Sequence, residues 1–592
     1  MVIKKRGLSI IFLILFCLIG LVARLVQIQL THTESFSSNR VNLIEESVVQ
    51  RTQEMVIDQG RGRFVDRNNL ALTHEYHPTL VLFPFLKNIE WPVSELAKAV
   101  GVQERTIEQS LKDAKEPFVF SINGKPFELT QTQMSEINRL KIPGVFAINR
   151  QYELDTKIAE HLIGLVRENE ELLYKRYPDK TYLSKRTMLG ITGLQATFDE
   201  FLLPEGEAKL LYHVSGDGSP LFGIDVKYSA PANPFYPVAI KTTIDREIQQ
   251  LAESIIDNHT IEKGGLILLD IETNDILAMV SKPSINFQNP FGDDGAENQM
   301  LMSQFPGSVF KTVIAAAAIE KNVNLNNRIF DCDLNLYGDG PSQYDHGPLN
   351  FKDSFAKSCN YTFAELSNEI IKEDSNFIEE YAQKLGLLGP VGWHGDVFRY
   401  NDFIQMPKEY PGRIWSDSRD KSSVKAVAQT AIGQKDVRVT PLAIANMMAT
   451  IARGGEKMQV RSVSDVLYKN GTTLFSFPEY KLDGDSISPY TAMRLQELLR
   501  TVVQSGTGIR FNSLPYEVAG KSGTAETGKV SSEGNKNLVN KWFAGYFPFN
   551  KPKYALVVVD LDRKDGNSVT NSVFYDVVKG LYELDNKDQS NF

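Results

Sequence analysis

The chain has 592 residues, 42% of them hydrophobic and 23% charged, with a formal net charge of -9. That length exceeds one typical domain, the composition excludes long disorder, and the acidic balance argues against a nucleic-acid partner. Three cysteines, Cys17, Cys332 and Cys359, fit neither a disulfide framework nor a zinc pattern, and no His-Glu-x-x-His pattern occurs.

Lys4, Lys5 and Arg6 precede an apolar run from Leu8 to Ala23, which Leu25 to Leu30 extend while Arg24 snorkels. No small-x-small cleavage site precedes Arg24. An uncleaved transmembrane anchor is therefore expected at residues 7–30 behind a cytoplasmic tail of residues 1–6. The basic flank puts everything beyond it outside the cytoplasm, where no ATP is expected.

Residues 31–229 read as a mixed domain. An extended opening turns at Asp66-Arg67-Asn68-Asn69, and parts of the stretch from Glu90 to Lys141 are amphipathic helix. "APANPFYP", Ala230 to Pro237, is a proline-rich hinge that opens a second domain, residues 230–592. There Asp245 can cap a helix whose Ile248, Leu251, Ala252 and Ile255 share one face. "GGLILLD" and "DILAMV" form a hairpin, and a mostly helical middle follows. Three later strands, "YEVAGKSGTAE", "KWFAGYFP" and "KYALVVVD", precede a last amphipathic helix. The expected fold class is α/β (α+β): a five-stranded antiparallel sheet flanked by helices.

Three short patterns carry chemistry. Ser308-x-x-Lys311 heads a helix of alanines and aliphatics, but Ser-x-x-Lys recurs at Ser354/Lys357, Ser418/Lys421 and Ser422/Lys425, and Ser308 could equally be a helix cap. Ser358-Cys359-Asn360 lies in the helical middle, and Lys521-Ser522-Gly523-Thr524 lies on a strand. A phosphate loop is excluded at "AGKSG", because Pro515 stands where its first glycine is needed. His161, His213 and His346 read as ordinary core or surface residues, and Cys359 as a small filler within its motif.

In this order the patterns resemble the penicillin-binding and serine β-lactamase group. With "RGRFVDRNN" at Arg61, "ITGLQATFDEFLLPEG", "TTIDREIQQLAE", "AIGQKDVRVTPLAIANMMATIARGG" and "KWFAGYFP", the chain resembles a class B penicillin-binding protein, a monofunctional peptidoglycan D,D-transpeptidase. Its segment after the anchor most resembles the penicillin-binding protein 4B type of bacilli. Departures from the family pattern are Gln195 for a glutamate, Asn69 for a glycine, and Lys435-Asp436 after Ile432-Gly433-Gln434.

The resemblance implies a pedestal or dimerisation-like domain before the transpeptidase domain. It also implies a Ser308 nucleophile with Lys311 as its base, a neutral amine in an apolar setting. Ser358 would relay a proton, Asn360 would orient Lys311 and the peptide, and Lys521 would raise the local positive potential. Ser522, Gly523 and Thr524 would hold the stem peptide. No metal or organic cofactor is implied. The implied partners are peptidoglycan stem peptides, β-lactams, the cytoplasmic membrane, a glycosyltransferase and the cell-wall synthesis complex. Rival functions are a carboxypeptidase or β-lactamase-type hydrolase, a β-lactam sensor, and a structural component of the division or elongation machinery.

Overall fold

The computed structural model describes residues 2–37, 41–214, 226–531, 537–564 and 569–590. These fall into two compact units.

Unit 1 comprises Met1–Gly60, Glu75–Glu153 and Glu205–Asn233. It begins with helix α1, Val2–Val26, which continues as a π-helical turn to Thr31. Among the described residues, the stretch Gly7–Thr31 is the one helical segment long and apolar enough to cross a membrane. The rest of the unit is small sheets and short helices. Thr52–Asp58 pairs antiparallel with Ala208–His213, and Val93–Val100, Glu104–Lys112 and Gln131–Leu140 are helices within the stretch from Glu90 to Lys141. A separate core of Leu80, Leu82, Phe83, Leu96, Ile107 and Tyr212 holds it together.

Unit 2 comprises Arg61–His74, Leu154–Pro204 and Pro234–Phe592. The chain thus changes unit inside the proline-rich hinge, between Asn233 and Pro234, but unit 2 also takes in two segments from the stretch before it. One of these supplies Arg63–Val65, which pairs in parallel with Ala239–Thr242.

Helix α2, Arg246–Asn258, starts where Asp245 accepts the N–H groups of Glu247 and Ile248. A five-stranded antiparallel sheet follows: β1 Gly264–Asp270, β2 Ile276–Lys282, β3 Ala519–Val530, β4 Asn537–Phe547 and β5 Tyr554–Arg563, in spatial order β2-β1-β5-β4-β3. Between β2 and β3 run helices α3 Lys311–Glu320, α4 Phe351–Ala356, α5 Asn360–Ile370, α6 Val424–Ala431, α7 Pro441–Ala452 and α8 Pro489–Ser505. Helix α9, Thr570–Ser590, closes the chain.

Both faces of the sheet are covered, which is why its central strands read as unbroken apolar runs rather than as alternation. Leu266, Leu268 and Val558 pack with Ala252 and Ile256 of α2 and with Phe574 and Val577 of α9. Ile267, Leu269, Val557 and Val559 belong to the core on the other face, with Val313 and Ile314 of α3 and Met447 and Met448 of α7. This second core surrounds α3.

Candidate active site

Ser308 stands on a 3-10 turn, Gly307–Phe310, that runs directly into α3. In a 3-10 turn residues three apart eclipse one another, so the turn lines Ser308 up with Lys311 along its axis. The serine side chain caps neither helix, which removes the simple capping reading. Two ties fix the turn. The Trp542 indole N–H donates to Phe305 O at 2.9 Å, and Gly307 N–H donates to Gly433 O at 3.1 Å. Helix α3 is buried from Lys311 to Ile319, and Val309, Phe310, Val313 and Ile314 are all fully inaccessible.

Lys311 is buried with them, at 0% exposure. Its Nζ donates to Ser358 O at 2.6 Å and to Asn360 Oδ1 at 2.6 Å, and lies 3.1 Å from Ser358 Oγ. A carbonyl and an amide oxygen only accept, so they use two N–H bonds. The third position faces a hydroxyl, which can donate as well as accept. The amine can therefore stay neutral with its lone pair turned to a hydroxyl. Burial pushes the Lys311 ammonium well below its ordinary value, and repulsion from Lys521 pushes the same way. Lys521 on β3 is also fully buried, and burial brings it down to about 7. Its Nζ donates to Ser358 Oγ at 3.0 Å and to Ser522 O at 3.1 Å. Ser358 Oγ thus sits between two lysine amines. Phe363 lies under Lys311 and Phe355 under Lys521, each about 6 Å from the amine to the ring centroid.

Ser358 adopts φ +62, the left-handed region that a residue with a Cβ seldom enters. That conformation turns both its carbonyl and its hydroxyl toward Lys311. The neighbouring Cys359 corrects the sequence reading: it forms a disulfide with Cys332, 27 residues earlier, and is not a free small filler. The sequence pattern missed the bond because the spacing matches no framework and a loop brings the two sulfurs together. The usable signal was that Cys17 lies in the apolar N-terminal helix, which leaves an even pair beyond it. The crosslink secures the residue between Ser358 and Asn360, and Asn360 begins α5.

On β3, Ser522 pairs with Phe543 and Thr524 with Lys541 in the β4 register. Ser522 and Thr524 are two residues apart and so face the same side. Lys541 Nζ lies 3.4 Å from Thr524 Oγ1. At Gly523 a Cβ would fall 2.7 Å from Pro306 O, so glycine lets the strand close on the turn that carries Ser308. The structure thus brings Lys311, Ser358, Asn360 and Lys521 into one hydrogen-bonded cluster. Ser308 is placed on the adjoining turn, and Ser522, Gly523 and Thr524 on the adjoining strand. A contact that motif reading missed is Thr507 Oγ1, 2.8 Å from Ser522 Oγ.

The model of the family described as penicillin binding protein transpeptidase domain matches residues 264–579, and that of the penicillin-binding protein dimerisation domain matches residues 56–221. The chain belongs to the penicillin-binding protein transpeptidase family. It is 23% identical to the peptidoglycan D,D-transpeptidase MrdA of Acinetobacter baumannii, over 94% of this chain and 84% of that protein. It is 24% identical to the stage V sporulation protein D of Bacillus subtilis, over 87% of this chain and 76% of that one. A chain from a solved peptidoglycan synthase complex shares the fold, with a TM-score of 0.62, 21% identity and 97% of both chains covered. These likenesses make the chain a class B, monofunctional member.

Within this penicillin-binding protein the three departures acquire local explanations. Arg61 donates to Gln195 Oε1 at 2.8 Å and to Asp199 Oδ1 at 2.9 Å, so Asp199 supplies the anionic partner while Gln195 offers a neutral acceptor. Asn69 takes φ +66, a conformation asparagine tolerates. Lys435 pairs with Asp420 and Asp436, in the loop that follows the Gly433 contact to the serine turn.

Proposed function

We propose that this penicillin-binding protein cross-links peptidoglycan stem peptides through a Ser308 acyl-enzyme and that β-lactams acylate the same serine. The carrying observation is the buried Lys311 amine, hydrogen-bonded to Ser358 and Asn360 beside a second buried lysine. Ser308 Oγ attacks the carbonyl of the penultimate D-Ala, and its proton passes to neutral Lys311 as the amine lone pair turns from the Ser358 hydroxyl to Ser308. The backbone N–H groups of Ser308 and Thr524 receive the oxyanion. The C–N bond breaks, Ser358 delivers a proton to the departing amine, and terminal D-Ala leaves. An amine of a neighbouring stem then attacks the ester. Its proton returns through the same relay, and Ser308 is restored with its hydrogen. Ser522 and Thr524 hold the terminal carboxylate of the donor stem.

The helix over Gly7–Thr31 anchors the chain, with its N-terminus cytoplasmic and the transpeptidase unit outside. The Cys332–Cys359 disulfide supports that side, since such bonds persist in oxidising compartments. The partner is a glycan-polymerising glycosyltransferase of the wall-building complex. Support comes from the similar chain in a synthase complex whose study describes coordination of polymerisation and crosslinking.

The test is fluorescent penicillin on the full chain in detergent, beside Ser308→Ala, with the adduct followed over hours. A stable one-to-one adduct absent from the variant is expected. Rapid loss of label with drug consumption would make the protein a hydrolase instead.

A further inference from the structure

Thr507 lies in Gly506-Thr507-Gly508, the loop that leaves α8 before β3. Its hydroxyl is exposed and sits 2.8 Å from Ser522 Oγ. Its backbone N–H donates to Ala356 O at 3.2 Å, at the end of α4 and two residues before Ser358. A Cβ on Gly506 would fall 2.2 Å from that same carbonyl, so glycine is what lets the loop touch α4. The loop therefore bridges the Ser358 turn and the Ser522 position on β3, with Thr507 between them. Ser522 and Thr524 face one side of the strand, and Thr507 meets Ser522 on that side.

The chemistry turns on one proton. Each hydroxyl has a single hydrogen to donate, whereas a carboxylate can only accept. In the Thr507–Ser522 pair one hydroxyl must donate to the other. If Ser522 spends its proton on Thr507, none remains for a ligand carboxylate. If Thr507 donates, the Ser522 proton is free for a ligand acceptor. We propose that Thr507 is a positioning residue for carboxylate recognition: it donates to Ser522 Oγ and so commits the Ser522 proton to the terminal carboxylate of the donor stem, or to that of a β-lactam. The inference rests on the reading of Ser522 and Thr524 as the carboxylate holders.

The test compares acylation of the full-length chain by benzylpenicillin and by its methyl ester, which lacks the anionic acceptor. Thr507→Val keeps the shape and removes the donor that holds the Ser522 hydroxyl in one orientation, so its proton is no longer fixed toward the carboxylate. It is expected to slow the free acid about tenfold, the scale of one hydrogen bond to a charged group, and to leave the ester within about twofold. Thr507→Ser should restore the wild-type preference for the acid. Equal slowing of both drugs, or no change in either, would overturn the proposal, and the ester rate reports folding of the site independently. Ser522→Ala separates the two levels. Loss of the acid preference in Ser522→Ala but not in Thr507→Val sinks the Thr507 role alone. If Ser522→Ala keeps the preference, or the wild type shows none, the carboxylate reading itself falls and takes the Thr507 role with it.

Discussion

The stretch from Ser308 to Lys311 and the stretch from Ser418 to Lys425 are built alike. In each, a 3-10 turn leads into an α-helix, and each carries Ser-x-x-Lys, the second stretch twice. Their surroundings differ. Lys311 is fully buried and its hydrogen-bond partners are uncharged. Lys421 sits at the surface with Glu379 and Asn376, and exposed Lys425 lies over the Tyr337 ring. The contrast shows that spacing puts a lysine beside a serine, while removal of water and of counter-charges makes that lysine a base.

The largest expected effect is at the serines. Ser308→Ala should abolish penicillin adducts in intact-protein mass spectra, a fall of roughly 10⁴-fold or more in acylation rate, while Ser418→Ala and Ser422→Ala label like the wild type. Next come the lysines. Lys311→Met should slow acylation by roughly 10³-fold. Lys421→Met should leave acylation unchanged and cost at most about 1 kcal/mol in denaturant melts, the range of a surface ion pair. A variant of that surface pair with altered acylation would break the contrast.

The disulfide gives a third difference, since the turn at Ser358 is covalently secured and the Ser418 stretch is not. Replacing Cys332 and Cys359 together by serine should destabilise the protein by about 3–4 kcal/mol on the loop-closure estimate for a loop of this length. It should also lower acylation, because Ser358 is then held in its left-handed conformation by hydrogen bonds alone. Unchanged rates would show that packing suffices. The smallest effect is in the pH profile. Acylation should rise with pH as Lys311 loses its proton, then decline above about 7 as Lys521 loses the charge that burial has already weakened. In Lys521→Arg, which keeps its charge, the declining limb should disappear from stopped-flow rates.

Much of this organisation was legible from residues a few positions apart. The apolar helix near the N-terminus, the Asp245 cap, the hairpin of β1 and β2, the three later strands and the chemical identity of the motif residues all follow from local patterning. Periodicity and capping report on neighbours within a turn or two, and there they suffice. It could not tell which of four Ser-x-x-Lys copies loses its water. Nor could it show that segments 61–74 and 154–204 join unit 2, or that Arg61 reaches Gln195 and Asp199.

The sequence by itself determined which side chains were available, in what order, and on which helices and strands. Tertiary structure alone decided that Lys311 meets Ser358 from 47 residues away and that Lys521 meets the same hydroxyl from 163 residues away. It also decided that Cys332 finds Cys359 and that Thr507 faces Ser522. The reason is physical. Desolvation and hydrogen bonding act through space, and the distance between remote segments is set only when helices and sheet close around one core.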